Sequence, residues 1–222
     1  MINESTIGFL KKLAKNNNKL WFDAHRNEYL VAKENFEDLV AKIIGGLALI
    51  DNDIKDLEVK HCTFRLNRDI RFSNDKTPYK TNFGASFNRG GKKSVFAGYY
   101  FHLEPGKSFA GGGIWMPMAP ELKKIRQEID YGFKEFQEII GNKNFKLHYK
   151  VLEDSKDIKL TNLPRGYEKD NPAAEFLKLK SFLATKNIAD KELTQSSLVS
   201  NTLKSYKALL PLVKFLNKAL ES

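Results

Sequence analysis

An α+β fold is predicted for this chain of 222 residues: an antiparallel sheet of about four strands, over roughly residues 60–116, packed by N- and C-terminal helices. Three observations carry the prediction. Apolar residues recur at helical spacing in the first and last thirds, whereas the middle third alternates with a period of two. The turns joining the alternating segments are too short to hold a crossover helix, so neighbouring strands must run antiparallel. No composition shift marks a linker and no repeat is found. The whole chain, 1–222, therefore reads as a single domain, large enough to bury a substantial core.

Ile7, Leu10, Leu13 and Ala14 predict a first helix, stopped at Asn16-Asn17-Asn18. From about Asp23 to Leu49 a second helix sets Tyr29, Phe36, Leu39, Val40 and Ile43 on one side, with a bend expected at Gly45-Gly46. Cys62, Phe64 and Leu66 alternate with Thr63, Arg65 and Asn67, which predicts a strand with one apolar side and Arg65 on the other. A less regular strand, 82–88, ends in a turn at Arg89-Gly90-Gly91-Lys92-Lys93. Ser94 to Leu103 has apolar residues on both faces, as a central strand does, and Tyr100 and His102 share one of those faces. Glu104-Pro105-Gly106-Lys107 suits a hairpin turn, and Ser108 to Trp115 returns beside it. Gly111-Gly112-Gly113 in that return strand predicts a close approach, with room made for Tyr99 or Tyr100.

Pro120 suits a first helical turn, and Leu122, Ile125, Ile129, Phe133, Phe136 and Ile140 continue it, broken at Gly132. The irregular run Asn162 to Tyr167 precedes a helix after Pro172. Leu198 to Leu220 closes the chain as an amphipathic helix with a bend expected near Pro211.

At 41% hydrophobic and 29% charged residues, the chain is neither disordered nor a membrane protein in composition. No apolar run is long enough to span a bilayer, and MINESTIGFLKKLAK lacks the uninterrupted apolar core of a signal peptide. The lone Cys62 cannot form an internal disulfide, so a cytoplasmic location is expected. The formal charge of +10 is uneven: Lys60 to Lys93 holds nine basic residues against Asp69 and Asp75. Such a localised excess favours an anionic partner.

Its centre is FRLNRDIRFSNDKTPYKT, Phe64 to Thr81, where Arg65, Arg68, Arg71, Lys76 and Lys80 sit among Phe64, Phe72 and Tyr79. Buried cations need partners, so the run is either a built anion site or an internal salt-bridge network. Arginine suits planar recognition of phosphate or carboxylate, and lysine adds point charge. Asp69, between Arg68 and Arg71, should stay ionised, as a base or a brace. The four histidines fall in separate segments without a helical pair, which points away from zinc. His102, beside the glycine hairpin, is the acid/base candidate. Neither Gly106-Lys107-Ser108 nor the glycine triplet has the spacing of a phosphate-binding loop.

Three segments carry a family resemblance: FRLNRDIRFSNDKTPYKTNFGASF, GYYFHLEPGKSFAGGGIWMP and LPRGYEKDNPAAEFLKLKSF. With NNNKLWF near the start, they resemble the bacterial and fungal conserved hypothetical proteins grouped as domain of unknown function DUF2461. Many members have His where this chain has Asn171. The resemblance implies one full-length domain and brings no activity, substrate or cofactor. It also suggests that the three segments converge on one surface.

The leading expectation is a pocket for a small phosphate- or carboxylate-bearing ligand. Arg65, Arg68, Arg71, Lys76, Tyr79 and Lys80 supply the first segment's ligand groups, Tyr100 and Trp115 the second's, and Arg165 and Tyr167 the third's. His102 and Asp69 are the proton-transfer candidates, without metal, should the pocket be catalytic. Two alternatives stay open: a nucleic-acid-binding module, and a structural or interaction protein braced by internal salt bridges. No membrane partner is expected.

Overall fold

The computed structural model describes residues 1–221. The chain opens with α1 (Glu4–Lys15), α2 (Lys19–Ala24) and α3 (Arg26–Ala48). Asn16 ends α1, its N–H reaching the carbonyls of Leu13 and Lys12, and the Asn18 side chain caps α2 by accepting from Trp21 N–H. α3 runs through Gly45-Gly46, where a bend was expected. Gly46 is instead a contact point, since a Cβ there would lie 2.2 Å from Cδ1 of Leu203.

After α4 (Val59–Cys62) come β1 (Phe83–Asn88), β2 (Gly98–Leu103) and β3 (Phe109–Ile114), with β4 (Phe182–Asn187) far downstream. They form one antiparallel sheet in the order β1-β2-β3-β4, with helices packed against it. The fold is thus the α+β class predicted, with three strands in the predicted region. The fourth differs in place. Residues 62–67 make only isolated bridges, Thr63 with Ala85 and Asn67 with Tyr79. Beyond Phe64, this segment pairs with residues 78–80 instead of the sheet: Arg68 N–H donates to Pro78 O and Lys80 N–H to Leu66 O. Pro78 has no N–H to extend that ladder.

The remaining helices are α5 (Ala119–Tyr131), α6 (Phe133–Gly141), α7 (Lys143–Tyr149), α8 (Ala174–Leu177), α9 (Asp190–Leu193) and α10 (Leu198–Glu221). Pro120 lies in the first turn of α5, and Gly132 separates α5 from α6. The helix expected after Pro172 is the single turn α8. Among the described residues no helix is long and apolar enough to cross a membrane.

The chain divides into two compact units. The first comprises Met1–Lys92, Tyr100–Ala110 and Asn187–Leu203; the second comprises Lys93–Tyr99, Gly111–Lys186 and the chain from Lys204. In the first, Phe36 of α3 stacks on Phe83 at 5.3 Å, and Leu10, Leu13, Val40, Ile43, Phe87 and Phe101 are fully enclosed. Cys62 is also enclosed, and burial pushes its thiol up to about 11. In the second, Tyr99 meets Tyr206 at 5.1 Å and Phe136 meets Phe215 at 5.4 Å, over buried Ile125, Ile129 and Leu209.

The glycine triplet serves backbone approach, and the expected room for a tyrosine comes from elsewhere. A Cβ on Gly112 would stand 2.2 Å from Gly98 O, and one on Gly113, at φ 117°, only 1.9 Å from Phe182 O. It is Gly84 that makes space for Tyr100, whose hydroxyl lies 2.4 Å from where a Cβ would be.

Candidate functional site

The basic run is a loop closed at its neck by the Asn67–Tyr79 bridge. Inside it, the Arg68 guanidinium donates to Asp75, Thr77 Oγ1 and Ser73 Oγ. Asp75 also accepts from Thr77, from its N–H at 2.9 Å and its hydroxyl at 2.8 Å. Arg68, and then Thr77, draw the Asp75 carboxyl down to about 2. Arg71 forks onto Asp69, with Nε at 2.9 Å and Nη2 at 2.7 Å, which holds the carboxyl below its usual range. Lys76 donates to Ile70 O at 3.0 Å. Tyr79 is buried, stacked on Phe22 at 4.1 Å, with its backbone gripped by Asn17. Arg68, Arg71, Lys76 and Tyr79 thus have partners within the fold.

Arg65 and Lys80 differ. Among the described residues neither makes an ion pair. Burial, and then the charge of Arg65, lower the pKa of Lys80. Its ammonium stands 5.5 Å from the centre of the Phe64 ring, and that of Lys92 stands 5.9 Å away. Lys92 is anchored, donating to the carbonyls of Lys60 and Thr63. Phe64 in turn lies 6.3 Å from the Tyr100 ring.

Alternation along β2 sends Tyr99, Phe101 and Leu103 into the cores and leaves Tyr100 and His102 half-buried on the opposite face. There His102 is held on three sides. Its ring lies flat on Phe109 at 4.8 Å, and Nε2 meets Glu104 Oε2 at 3.2 Å. At Nδ1, the Tyr100 hydroxyl and the Asn82 amide each stand at 3.4 Å. A second Glu104 oxygen accepts from Thr81 Oγ1 at 3.0 Å. With Nε2–H donating to the carboxylate, Nδ1 becomes the acceptor and faces the phenol. Burial raises the pKa of that phenol, so it stays protonated at neutral pH.

Trp115, Arg165 and Tyr167 belong to the second unit. Trp115 and Arg165 are exposed. Burial, and then the charge of Asp130, raise the pKa of Tyr167. Asn171 donates to Asp130 Oδ1 at 2.6 Å, and Arg126 donates to Leu179 O at 2.9 Å. No group of three or more metal-ligating side chains occurs among the described residues.

Asn82, Glu104 and Phe109, which contact His102, and Thr81, which donates to Glu104, were not among the predicted site residues. Glu104 had a weak signal, since it follows the last residue of β2 directly and continues its alternation by one position. The other three did not, because strand pairing brings them in. A comparison with protein-family models matches residues 5–215 to the conserved hypothetical protein family DUF2461. The chain belongs to that family. Comparisons with curated proteins and with solved structures gave no match.

Proposed function

We propose that the face of the first unit carrying Lys80, Arg65, Tyr100 and His102 binds a small phosphate- or carboxylate-bearing ligand and moves a proton on it. One observation carries the reading. Lys80 is partly desolvated beside a second cation and, among the described residues, makes no ion pair, a cost that a bound oxyanion would offset. Lys80 and Arg65 hold the ligand's charge. His102, oriented by Glu104, takes a proton through Nδ1 directly or from the Tyr100 hydroxyl. Arg68, Asp69, Arg71, Lys76 and Tyr79 shape and brace the adjoining loop. The single buried Cys62 fits a reducing cytoplasm.

A thermal-shift titration with inorganic phosphate, citrate and nucleoside monophosphates tests the reading. At least one oxyanion should raise Tm, and Lys80→Ala should abolish the rise. An anion response that survives in Lys80→Ala, or none in the parent, overturns it.

A second reading has its own observation. Phe72 is 95% exposed at the loop tip, with the Arg71 guanidinium 5.8 Å from its ring centre. Stacking plus cations is the usual route to single-stranded nucleic acid. Binding that falls steeply with added salt and is lost in Phe72→Ala supports it.

A further inference from the structure

We propose a separate binding site in the second unit, a cavity beside α6 and α7 that takes an amphiphilic oxyanion: an alkyl or aryl body ending in carboxylate or phosphate. The cavity holds about 580 Å³, within the range of small-molecule sites. Ile140, Leu152, Phe176 and Leu179 supply its apolar lining, and Leu152 and Leu179 are buried. Gln137 and charged side chains share the lining with this apolar patch. The patch suits a hydrocarbon body.

Charge at the lining sets the sign of the head group. The two lining acids are already occupied: Asp154 and Glu175 both reach Lys159, at 3.5 and 3.1 Å, and Glu175 also holds Lys178 at 2.7 Å. Lys146 and Lys150 also line the cavity, and among the described residues neither makes an ion pair. Two uncompensated ammonium groups beside an apolar lining complement an anion with a tail.

The backbone adds an independent sign. Lys150 adopts φ 63° and ψ −66°, and Val151 N–H donates to Tyr149 O at 2.7 Å. That is a γ-turn of the rarer, positive-φ kind, strained for any residue with a Cβ. Such strain collects at ligand-holding segments. Here it sits on a cavity-lining cation, followed by cavity-lining Val151. The site shares no residue with the face around His102 and does not depend on its function.

Calorimetric titration of the full chain with decanoate tests this, with decanol lacking the charge and acetate lacking the tail. Decanoate should bind saturably at one site, and decanol and acetate much more weakly. Lys146→Ala with Lys150→Gly should weaken decanoate by about tenfold or more. Lys150→Gly alone should raise Tm, because glycine accepts positive φ. Gly141 lines the cavity, and an added Cβ meets nothing within 4 Å, so Gly141→Phe should block decanoate without lowering Tm. Lys80→Ala should leave decanoate binding intact. Equal binding of decanol, no saturable decanoate binding, or full binding in the lysine double variant overturns the proposal.

Discussion

Two neighbouring parts of the first unit handle positive charge in opposite ways. In the loop between Asn67 and Tyr79, Arg68 and Arg71 each close onto an aspartate of the same loop, at spacings of seven and two residues. On the sheet face beside it, Lys80 feels the charge of Arg65 and, among the described residues, neither makes an ion pair, although the charge of Arg65 also reaches Asp69. The lesson is that density of charge in a sequence does not locate a site. What matters is the charge left over after local pairing. Here the residue at the end of the run, Lys80, carries more functional weight than the arginines at its centre.

Substitutions can break this contrast. The largest change should come from Arg68→Ala, whose side chain is only 24% exposed and which has three acceptors in its loop. Its removal should lower Tm by roughly 3–6 °C while leaving anion stabilisation of the folded protein in place. If Arg68→Ala abolishes anion binding at unchanged Tm, the two regions have been assigned the wrong way round.

Lys80→Met should act in the opposite direction. It removes a partly desolvated cation and keeps the packing on Phe64, so Tm should hold or rise by about 1–3 °C without ligand. The oxyanion response should vanish. A marked fall in Tm in the absence of anions would mean that Lys80 has a structural partner.

The two regions should also separate in their dependence on pH. The Asp75 carboxyl is held at about 2 against an ordinary value of 3.8, so the unfolded chain binds its proton first as pH falls. The stability it contributes is whole above about pH 4 and drains away between there and pH 2. Lys80 slopes the same way at the alkaline end of the scale, but there it is the charged form that costs stability. Its folded pKa lies below 10.5, so stability grows with pH as the folded form loses its proton before the unfolded one. Urea melts across pH 2–5 should show a shallower slope in Asp75→Asn, and melts above pH 8 a shallower slope in Lys80→Met. Equal slopes in variant and parent remove the corresponding assignment.

The smallest effect is expected from Arg71→Ala. The Arg71 side chain is 75% exposed, and its pair with Asp69 is solvated, so Tm should stay within about a degree. Loss of nucleic-acid binding in this variant, with phosphate stabilisation retained, would sharpen the contrast further by giving the loop tip its own partner.

Much of this arrangement was legible from residue order. The hairpin from β2 to β3 was announced by Glu104-Pro105-Gly106-Lys107, and the break between α5 and α6 by Gly132. The placing of Tyr100 and His102 on one face followed from strand alternation. β4 was not legible. It is six residues long and finds its partner some seventy residues upstream, a pairing that no local pattern encodes. Residues 62–67 misled because they do alternate, yet the chain folds back on Pro78 before a ladder can form. At Gly45-Gly46 the usual rule of glycine as a breaker lost to a packing demand, the closeness of Leu203. For the candidate site, the charge and the histidine were visible. The pairing that consumes most of that charge, and the Thr81 and Asn82 contacts around His102, needed the fold.

The enclosure of Cys62 has a practical consequence for such experiments. Its sulfur is sealed from solvent and its thiol stays protonated far above neutral pH, so a maleimide or a nitroxide reagent finds almost no thiolate to attack. The natural chain therefore behaves towards those reagents as though it had no cysteine. One cysteine introduced at Phe72 or at Leu147, both largely exposed, would be the single labelled position without altering the core. A fluorophore or spin label at either point could then report separately on the loop tip and on the end of α7.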